Sequence, residues 1–213
     1  MNSILLACAL VLAALPAFAG ETDTVISGTA RTGNLSTDDI DARLDTAAQD
    51  SEANGVPATR FELFDMAVPP NAADYKAMAG YTVMLVVAVT QDAGELPLER
   101  VYLQAGATVT PLRQIYAVSH DTAAGSDARR AFGRAREFAL YLVPTAAMLT
   151  QHDIRCDLAK TRKGLLLGSL HFEPLPYAIP DATPAKPSPA ALLAFLKHEY
   201  PGLTSGLTEK QLP

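Results

Sequence analysis

The stretch QHDIRC, residues 151–156, carries the strongest chemical motif of the chain. His152 and Cys156 lie four residues apart, with Asp153 beside the histidine. On a helix this spacing would place the imidazole and the thiol on one face, where they could share a metal ion or act as a base and a nucleophile. On a strand the two side chains would be roughly 13 Å apart, at about 3.3 Å per residue, which is too far for one metal ion. The element that contains the motif therefore decides whether it is a site.

The flanking pattern favours a strand. Residues 152–159 and 165–172 are two short apolar-rich segments on either side of the turn KTRKG, which predicts a hairpin. Symmetric pairing would set Cys156 opposite Gly168. One face would then be apolar except for His152, since side chains alternate along a strand; it would hold His152, Ile154, Cys156, Leu158, Leu166, Gly168, Leu170 and Phe172. We therefore expect Cys156 to pack in a core, and we expect no metal and no cofactor.

A hydrolase is the alternative function. Ser119, His120 and Asp121 follow one another directly, but neighbours on a strand point in different directions, and catalytic triads are assembled from residues distant in sequence. No Gly-x-Ser-x-Gly motif occurs in the chain. A secreted hydrolase would have to use His120 or His152 with a residue that the sequence does not identify. A metal-handling protein is a third reading, although the four histidines lack ligand spacing; they are His120, His152, His171 and His198.

Two basic segments form the strongest candidate binding surface. SDARRAFGRAR (126–136) and KTRKG (160–164) together supply Arg129, Arg130, Arg134, Arg136, Lys160, Arg162 and Lys163. Guanidinium and ammonium groups bind carboxylates and phosphates, so this set predicts a surface for an acidic envelope protein or an anionic polymer. The alternative is a solvated loop, which could also dock against the acidic helix of the same chain. We expect no nucleic-acid partner, because the net charge is −6 and no base-stacking motif is present.

The N-terminal residues resemble a secretory signal. An apolar run from Ile4 to Leu15 precedes Pro16 and the small-x-small pattern Ala17–Ala19, which predicts cleavage before Gly20 and an exported, periplasmic or secreted protein. The run is shorter than the roughly 20 residues that span a bilayer, so we expect no stable membrane insertion after processing. A lipoprotein signal ending at Cys8 is the alternative. Cleavage at Gly20 would leave Cys156 as the single cysteine, without an intramolecular disulfide.

The remaining pattern is dominated by strands. Seven segments carry β-type patterning between turn signals; they are 60–68, 81–90, 98–104, 108–118, 136–144, 152–159 and 165–172. YTVMLVVAVT (81–90) is apolar on both faces and predicts a central strand. A further short strand is expected over 24–30. The segment 126–142 could instead form one helix from a cap at Ser126 or Asp127.

Two helices are expected outside the strands. Ser36 can cap a helix over 37–53 that has only a thin apolar stripe, which predicts a surface position. Ser188 and Pro189 open a second helix over 189–199.

These elements predict a mainly β fold. An antiparallel β-sandwich is expected, immunoglobulin-like in its count of about seven strands, with an N-terminal surface helix and a C-terminal helix. The expected organisation is a signal peptide (1–19), a strand and acidic helix (20–55), the β-sandwich (56–172), a Pro-rich extended segment (173–187), and a helix with a tail (188–213). The sequence thus favours an exported, periplasmic, non-enzymatic binding or assembly module.

Overall fold

The computed structural model describes residues 24–31, 35–53, 60–90, 98–121, 135–149, 151–158, 162–170, 177 and 186–213. Strands dominate these ranges: β1 (Thr24–Arg31), β2 (Arg60–Ala67), β3 (Tyr81–Thr90), β4 (Leu98–Ala105), β5 (Thr108–Pro111), β6 (Arg113–Asp121), β7 (Ala135–Pro144), β8 (His152–Leu158) and β9 (Arg162–Leu170). The α-helices are α1 (Thr37–Ala53), α2 (Ala72–Ala77), α3 (Pro189–Glu199) and α4 (Pro201–Thr204), and 3-10 turns occur at Thr145–Leu149 and Glu209–Gln211.

The described strands form two sheets. The five-stranded sheet has the order β1-β2-β3-β7-β6, and the four-stranded sheet has the order β5-β4-β8-β9. Neighbouring strands are antiparallel except β1 and β2, which are parallel. The prediction of a mainly β chain with antiparallel sheets is confirmed, and strands occupy all seven segments predicted between residues 60 and 172.

The strand β3 lies in the middle of the five-stranded sheet, as its two apolar faces predict. Val83, Leu85 and Val87 point to one side of the sheet, and Met84 and Val86 point to the other; all five are fully buried. The neighbouring β7 repeats this alternation. The helix through Tyr141, considered for 126–142, is therefore wrong over β7, and residues 122–134 lie outside the described ranges.

Segment 108–118 is divided between the two sheets. β5 pairs with β4 in the four-stranded sheet, and β6 pairs with β7 in the five-stranded sheet. The break falls at Leu112, whose amide donates to the Val101 carbonyl at 2.9 Å. The segment predicted as one strand thus forms an edge strand in each sheet. With this division, and with β1, the seven predicted segments become nine strands within the described ranges.

Two apolar cores lie on opposite faces of the five-stranded sheet. The inter-sheet core contains residues of both sheets, namely Phe64, Met66, Val68, Met84, Val86, Val101, Leu103, Ala139, Tyr141, Val143, Ile154 and Cys156. The helix-side core joins the other face to the helical segments; it includes Leu35, Ile40, Val83, Leu85, Val87, Phe138, Leu140, Leu142, Leu192, Leu196 and Tyr200. Each face of the five-stranded sheet is therefore buried by a different layer of the chain.

Side-chain caps mark the starts of three helices. The Ser36 hydroxyl accepts from the Asp39 amide at 3.1 Å, and the Asp39 carboxylate accepts from the Ser36 amide at 3.0 Å, which is a reciprocal cap at α1. Ser188 caps α3 by accepting from the Ala191 amide, with Pro189 at the first helical position. Asn71 caps α2, a short helix that is not among the predicted elements.

A buried carboxylate ties three distant segments together. Asp65, on the helix-side face of β2, is fully buried. Its Oδ1 lies 3.2 Å from Nη1 of Arg43 in α1, and its Oδ2 accepts from the Tyr200 hydroxyl at 3.1 Å. Because an unpartnered buried charge is costly, α1 and the segment after α3 both have to be in place around Asp65.

Within the predicted Pro-rich segment (173–187), the structure describes residues 186–187 and, before them, Tyr177. Its hydroxyl donates to the Pro69 carbonyl at 2.7 Å, and its ring centroid lies 5.6 Å from that of Tyr75 in α2. Burial, followed by the neighbouring Tyr75 and Asp74, raises the pKa of Tyr177 to about 12. The neutral phenol is thus the form that donates to Pro69 and packs beside Tyr75.

This geometry predicts alkaline destabilisation through Tyr177. Below pH 10 the phenol is neutral in both folded and unfolded chains, and Tyr177→Phe should lower the free energy of unfolding by about 1 kcal/mol through the lost hydrogen bond. Between pH 10 and about 12 the unfolded phenol ionises first, so the wild type loses stability that the variant does not lose. Urea unfolding at pH 8 and pH 11 measures the difference. An equal wild-type advantage at both values would contradict the assignment.

Candidate binding surface

QHDIRC lies on a strand. β8 contains His152–Leu158, with Ile154 and Cys156 fully buried in the inter-sheet core and Asp153, Arg155 and Asp157 only partly buried on the other face. Cys156 is buried and forms no disulfide within the described residues. Alternation along β8 thus holds as predicted, and His152 and Cys156 are four positions apart on the strand, roughly 13 Å.

The predicted register of the hairpin is wrong. Cys156 pairs with Leu165 instead of Gly168, and Gly168 pairs with Ile154. β9 begins at Arg162, three residues before the predicted start, and the ladder shifts after Ile154 and again after Cys156. Gly164, part of the predicted turn, lies within β9 at the second shift with φ +70°, a conformation open to glycine.

Two side chains of β8 hold Gly164 in place. Asp157 Oδ1 accepts from the Gly164 amide at 2.9 Å, and Arg155 Nη1 donates to the Gly164 carbonyl at 2.8 Å. Arg155 Nη2 also donates to Asp153 Oδ2 at 2.9 Å. The bulged position is therefore fixed by a polar network on the outer face of the four-stranded sheet.

A cation–π contact extends this outer face. The Arg100 guanidinium carbon lies 5.1 Å from the centroid of the Tyr102 ring, close enough for cation–π attraction. In the ladder, Arg100 pairs with Asp157 and Tyr102 pairs with Arg155. Charges thus alternate in sign along β8 on this face, and Arg100 of the neighbouring β4 is exposed to solvent.

The structure places three of the seven predicted basic residues on strands. Arg136 is in β7, and Arg162 and Lys163 are in β9. The other four lie outside the described residues; they are Arg129, Arg130, Arg134 and Lys160. The position of the proposed surface therefore has to be inferred from the strands that precede and follow its two segments.

Each basic segment connects two strands at one end of a sheet. At that end, the paired residues of neighbouring strands form a transverse row. In the five-stranded sheet, one transverse row runs through Thr24, Arg60, Thr90, Ala135 and Asp121. In the four-stranded sheet, the end row runs through Leu98, Leu158 and Arg162. Residues 122–134 connect two members of the first row, and residues 159–161 connect two members of the second.

Two connections lead from the five-stranded sheet to the four-stranded sheet. Residues 91–97 join Thr90 of the first row to Leu98 of the second. At the far ends of β7 and β8, the 3-10 turn Thr145–Leu149 joins Pro144 to the start of β8.

The two candidate catalytic histidines lie on different sheets. His120 is in β6, where it pairs with Arg136 next to the first row. His152 starts β8, six residues from the second row, and pairs with Leu170. His198 Nδ1 lies 2.9 Å from Oε1 of the Glu199 carboxylate. Within the described ranges no group of three potential metal ligands occurs, and no helix there is long and apolar enough to cross a membrane.

The polar network around Arg155 was not among the predicted sites. Its signal is present in the sequence as charges alternating with period two at Asp153, Arg155 and Asp157. The role of Gly164 and the contact of Arg100 with Tyr102 require the bulge and the adjacency of β4 and β8, which no local pattern specifies.

Comparison with known proteins found no matching protein-family model, no matching curated protein and no matching solved structure.

Burial of Cys156 gives a direct test of the opening motif. The thiol should resist alkylation in native buffer and react after denaturation, because it is fully buried between the sheets. Cys156→Ser should lower the free energy of unfolding by about 1–3 kcal/mol through a buried hydroxyl, and Cys156→Ala should cost less. Rapid native labelling, together with a rise in melting temperature on addition of zinc, would show that His152 and Cys156 form a site.

Proposed function

We propose that the protein is an exported, periplasmic, non-enzymatic binding or assembly module. Export is supported by the apolar run and the small-x-small pattern within residues 1–19, which lie outside the described ranges. We further infer that the two sheets form an antiparallel, immunoglobulin-like β-sandwich. The shared inter-sheet core supports the face-to-face packing, and the sheet change at Leu112 is typical of strands that contribute to both layers.

The proposal is supported mainly by the two strand rows at which the basic segments begin and end. If the sheets stack face to face, β7 and β8 run in opposite directions through the turn that joins them, so the start of β7 and the end of β8 share one end of the sandwich. Ala135, within the first basic segment, and Leu158, which precedes the second, would then lie at the same end. We call this region the basic end, formed by Arg129, Arg130, Arg134, Arg136, Lys160, Arg162 and Lys163.

The partner is an anionic surface or polymer. Four arginines and the neighbouring lysines can form charge-assisted hydrogen bonds with carboxylate, phosphate or sulfate groups. Outside the two segments, the rows contain one base, Arg60, and one acid, Asp121, so an excess of positive charge at this end comes from the two segments. An acidic envelope protein and an anionic polymer share this chemistry.

Charge reversal tests the proposal. Mature chain (residues 20–213) carrying Lys160→Glu, Arg162→Glu and Lys163→Glu should bind immobilised heparin and polyglutamate at least about tenfold more weakly than the wild type, with binding of the wild type decreasing as salt rises. The matched control reverses three exposed lysines on helical segments, Lys76, Lys197 and Lys210, and should stay within about twofold of the wild type. Preference between the two polymers distinguishes sulfate from carboxylate recognition.

Two results would contradict the binding surface. Equal loss of affinity in the site and control variants would indicate a nonspecific charge effect. An unchanged affinity with a lower free energy of unfolding in the site variant would show that these residues pair with acids of the same chain.

A further inference from the structure

The strand β6 forms one edge of the five-stranded sheet. It is the last strand in the order β1-β2-β3-β7-β6, and its inner side pairs with β7. Within the part of the chain that the structure describes, no other strand or turn pairs with its outer side. Arg113, Gln114 and Ala117 are exposed along this strand. Such an edge can pair with a further extended chain, because its amides and carbonyls already have strand geometry.

A groove lies directly beside this edge. It has a volume of about 330 Å³ and is lined by Gln114, Ile115 and Tyr116 of β6 and by Gln211, Leu212 and Pro213. Ile115 and Leu212 are buried in the helix-side core, so the apolar part of the lining is continuous with that core. Side chains of a strand alternate between its two faces. Every second side chain of a strand added to β6 would therefore enter the groove.

A β-bulge shapes the groove. The pairing of β6 with β7 shifts between Gln114 and Tyr116, which leaves Ile115 as the extra residue. In a regular strand, Ile115 and Tyr116 would point to opposite faces of the sheet. Here both pack against the helix-side core, Ile115 fully and Tyr116 in part. The bulge thus adds an aromatic wall to the side of the edge on which the groove lies.

Gln211 presents a hydrogen-bond donor of defined orientation at the groove. Its Oε1 accepts from the Thr208 amide at 2.9 Å and from the Thr208 hydroxyl at 2.8 Å, which is a capping box. Because the backbone amide can only donate, the oxygen of Gln211 has to face Thr208, and Nε2 points elsewhere. Among the described residues, Nε2 has no hydrogen-bond partner. A carbonyl oxygen of a ligand would satisfy this donor.

The groove differs from the basic end in charge and position. None of the side chains that line it is charged. Tyr116 is five residues before Asp121 of the first row, roughly 16 Å along the strand at about 3.3 Å per residue. An anionic polymer therefore finds no cationic side chain in the groove, whereas an uncharged chain with carbonyl acceptors matches its lining.

We propose that the outer edge of β6 and this groove bind an uncharged, extended peptide segment of a partner protein. The segment adds to the five-stranded sheet as a sixth strand, places valine-sized side chains in the groove, and accepts a hydrogen bond from Gln211 Nε2. This site is separate from the basic end and gives the protein a second surface for a partner.

NMR titration of the mature chain (residues 20–213) with the capped peptide acetyl-Thr-Val-Thr-Val-Thr-amide tests the site. The amide resonances of residues 113–117 should shift. At saturating peptide, the β6 amides that point away from β7 should exchange with solvent at least about tenfold more slowly, because they gain a strand partner. The same peptide N-methylated at its three central residues should not bind, since it lacks the backbone donors that strand pairing requires.

Gln211→Glu removes the donor and keeps the capping box, because a carboxylate oxygen accepts both bonds from Thr208. Its free energy of unfolding should match that of the wild type, and its affinity for the peptide should fall by at least about fivefold. Gln49→Glu is the matched control. It introduces the same charge at an exposed position of α1, which lies against β1 and β2 at the other edge of the sheet, and should stay within about twofold of the wild type.

Four results would overturn the proposal. Unchanged β6 resonances at millimolar peptide would show that the edge does not accept a strand, and binding of the N-methylated peptide would exclude strand pairing. Equal losses in Gln211→Glu and Gln49→Glu would indicate a general charge effect. Shifts of the β6 resonances with polyglutamate would identify a carboxylate site instead. Heparin binding at the basic end is measured separately, so each proposal can fail without the other.

Discussion

The buried carboxylate of Asp65 is the interaction on which the helical layer depends. It lies on β2, in a sheet whose surrounding side chains are apolar, and receives an ion pair from Arg43 and a hydrogen bond from Tyr200. These partners lie 22 residues before it and 135 residues after it in the chain. A charge in this position requires both segments to adopt one arrangement, because burial without partners would be costly.

The helix-side core adds apolar packing to this polar constraint. Tyr200 is fully buried, and it combines ring packing against the core with a hydroxyl directed at Asp65. A buried ion pair adds little net stability over apolar residues of the same volume, so its main effect is to specify how the helices dock. The apolar residues Ile40, Leu192 and Leu196 supply the burial, and Asp65 selects the register.

The strands could be predicted because burial of one or both faces of a strand sets the pattern of apolar residues in its sequence. This pattern is present in β3, β7 and β8. Ser36 and Ser188 likewise mark where α1 and α3 begin. Strand order, the sheet change at Leu112 and the register of β8 with β9 could not be predicted, since they depend on contacts between distant segments and on a bulge at Gly164. Asp65 looked like one polar residue in an irregular strand pattern, and its partners become visible only in three dimensions. The basic residues are visible in the sequence, whereas their placement at one end of a sandwich is our proposal.

A double-mutant cycle between Asp65 and Tyr200 tests this account most directly. Urea unfolding of Asp65→Asn, Tyr200→Phe and the double variant gives their coupling energy, with Asp65→Asn and Tyr102→Phe, on the outer face of the other sheet, as the reference pair. A coupling of about 1 kcal/mol or more between Asp65 and Tyr200, with additive effects in the reference pair, is the predicted result. Additive effects in both pairs would contradict the central role of this carboxylate and show that apolar packing alone holds the C-terminal helices on the sheet.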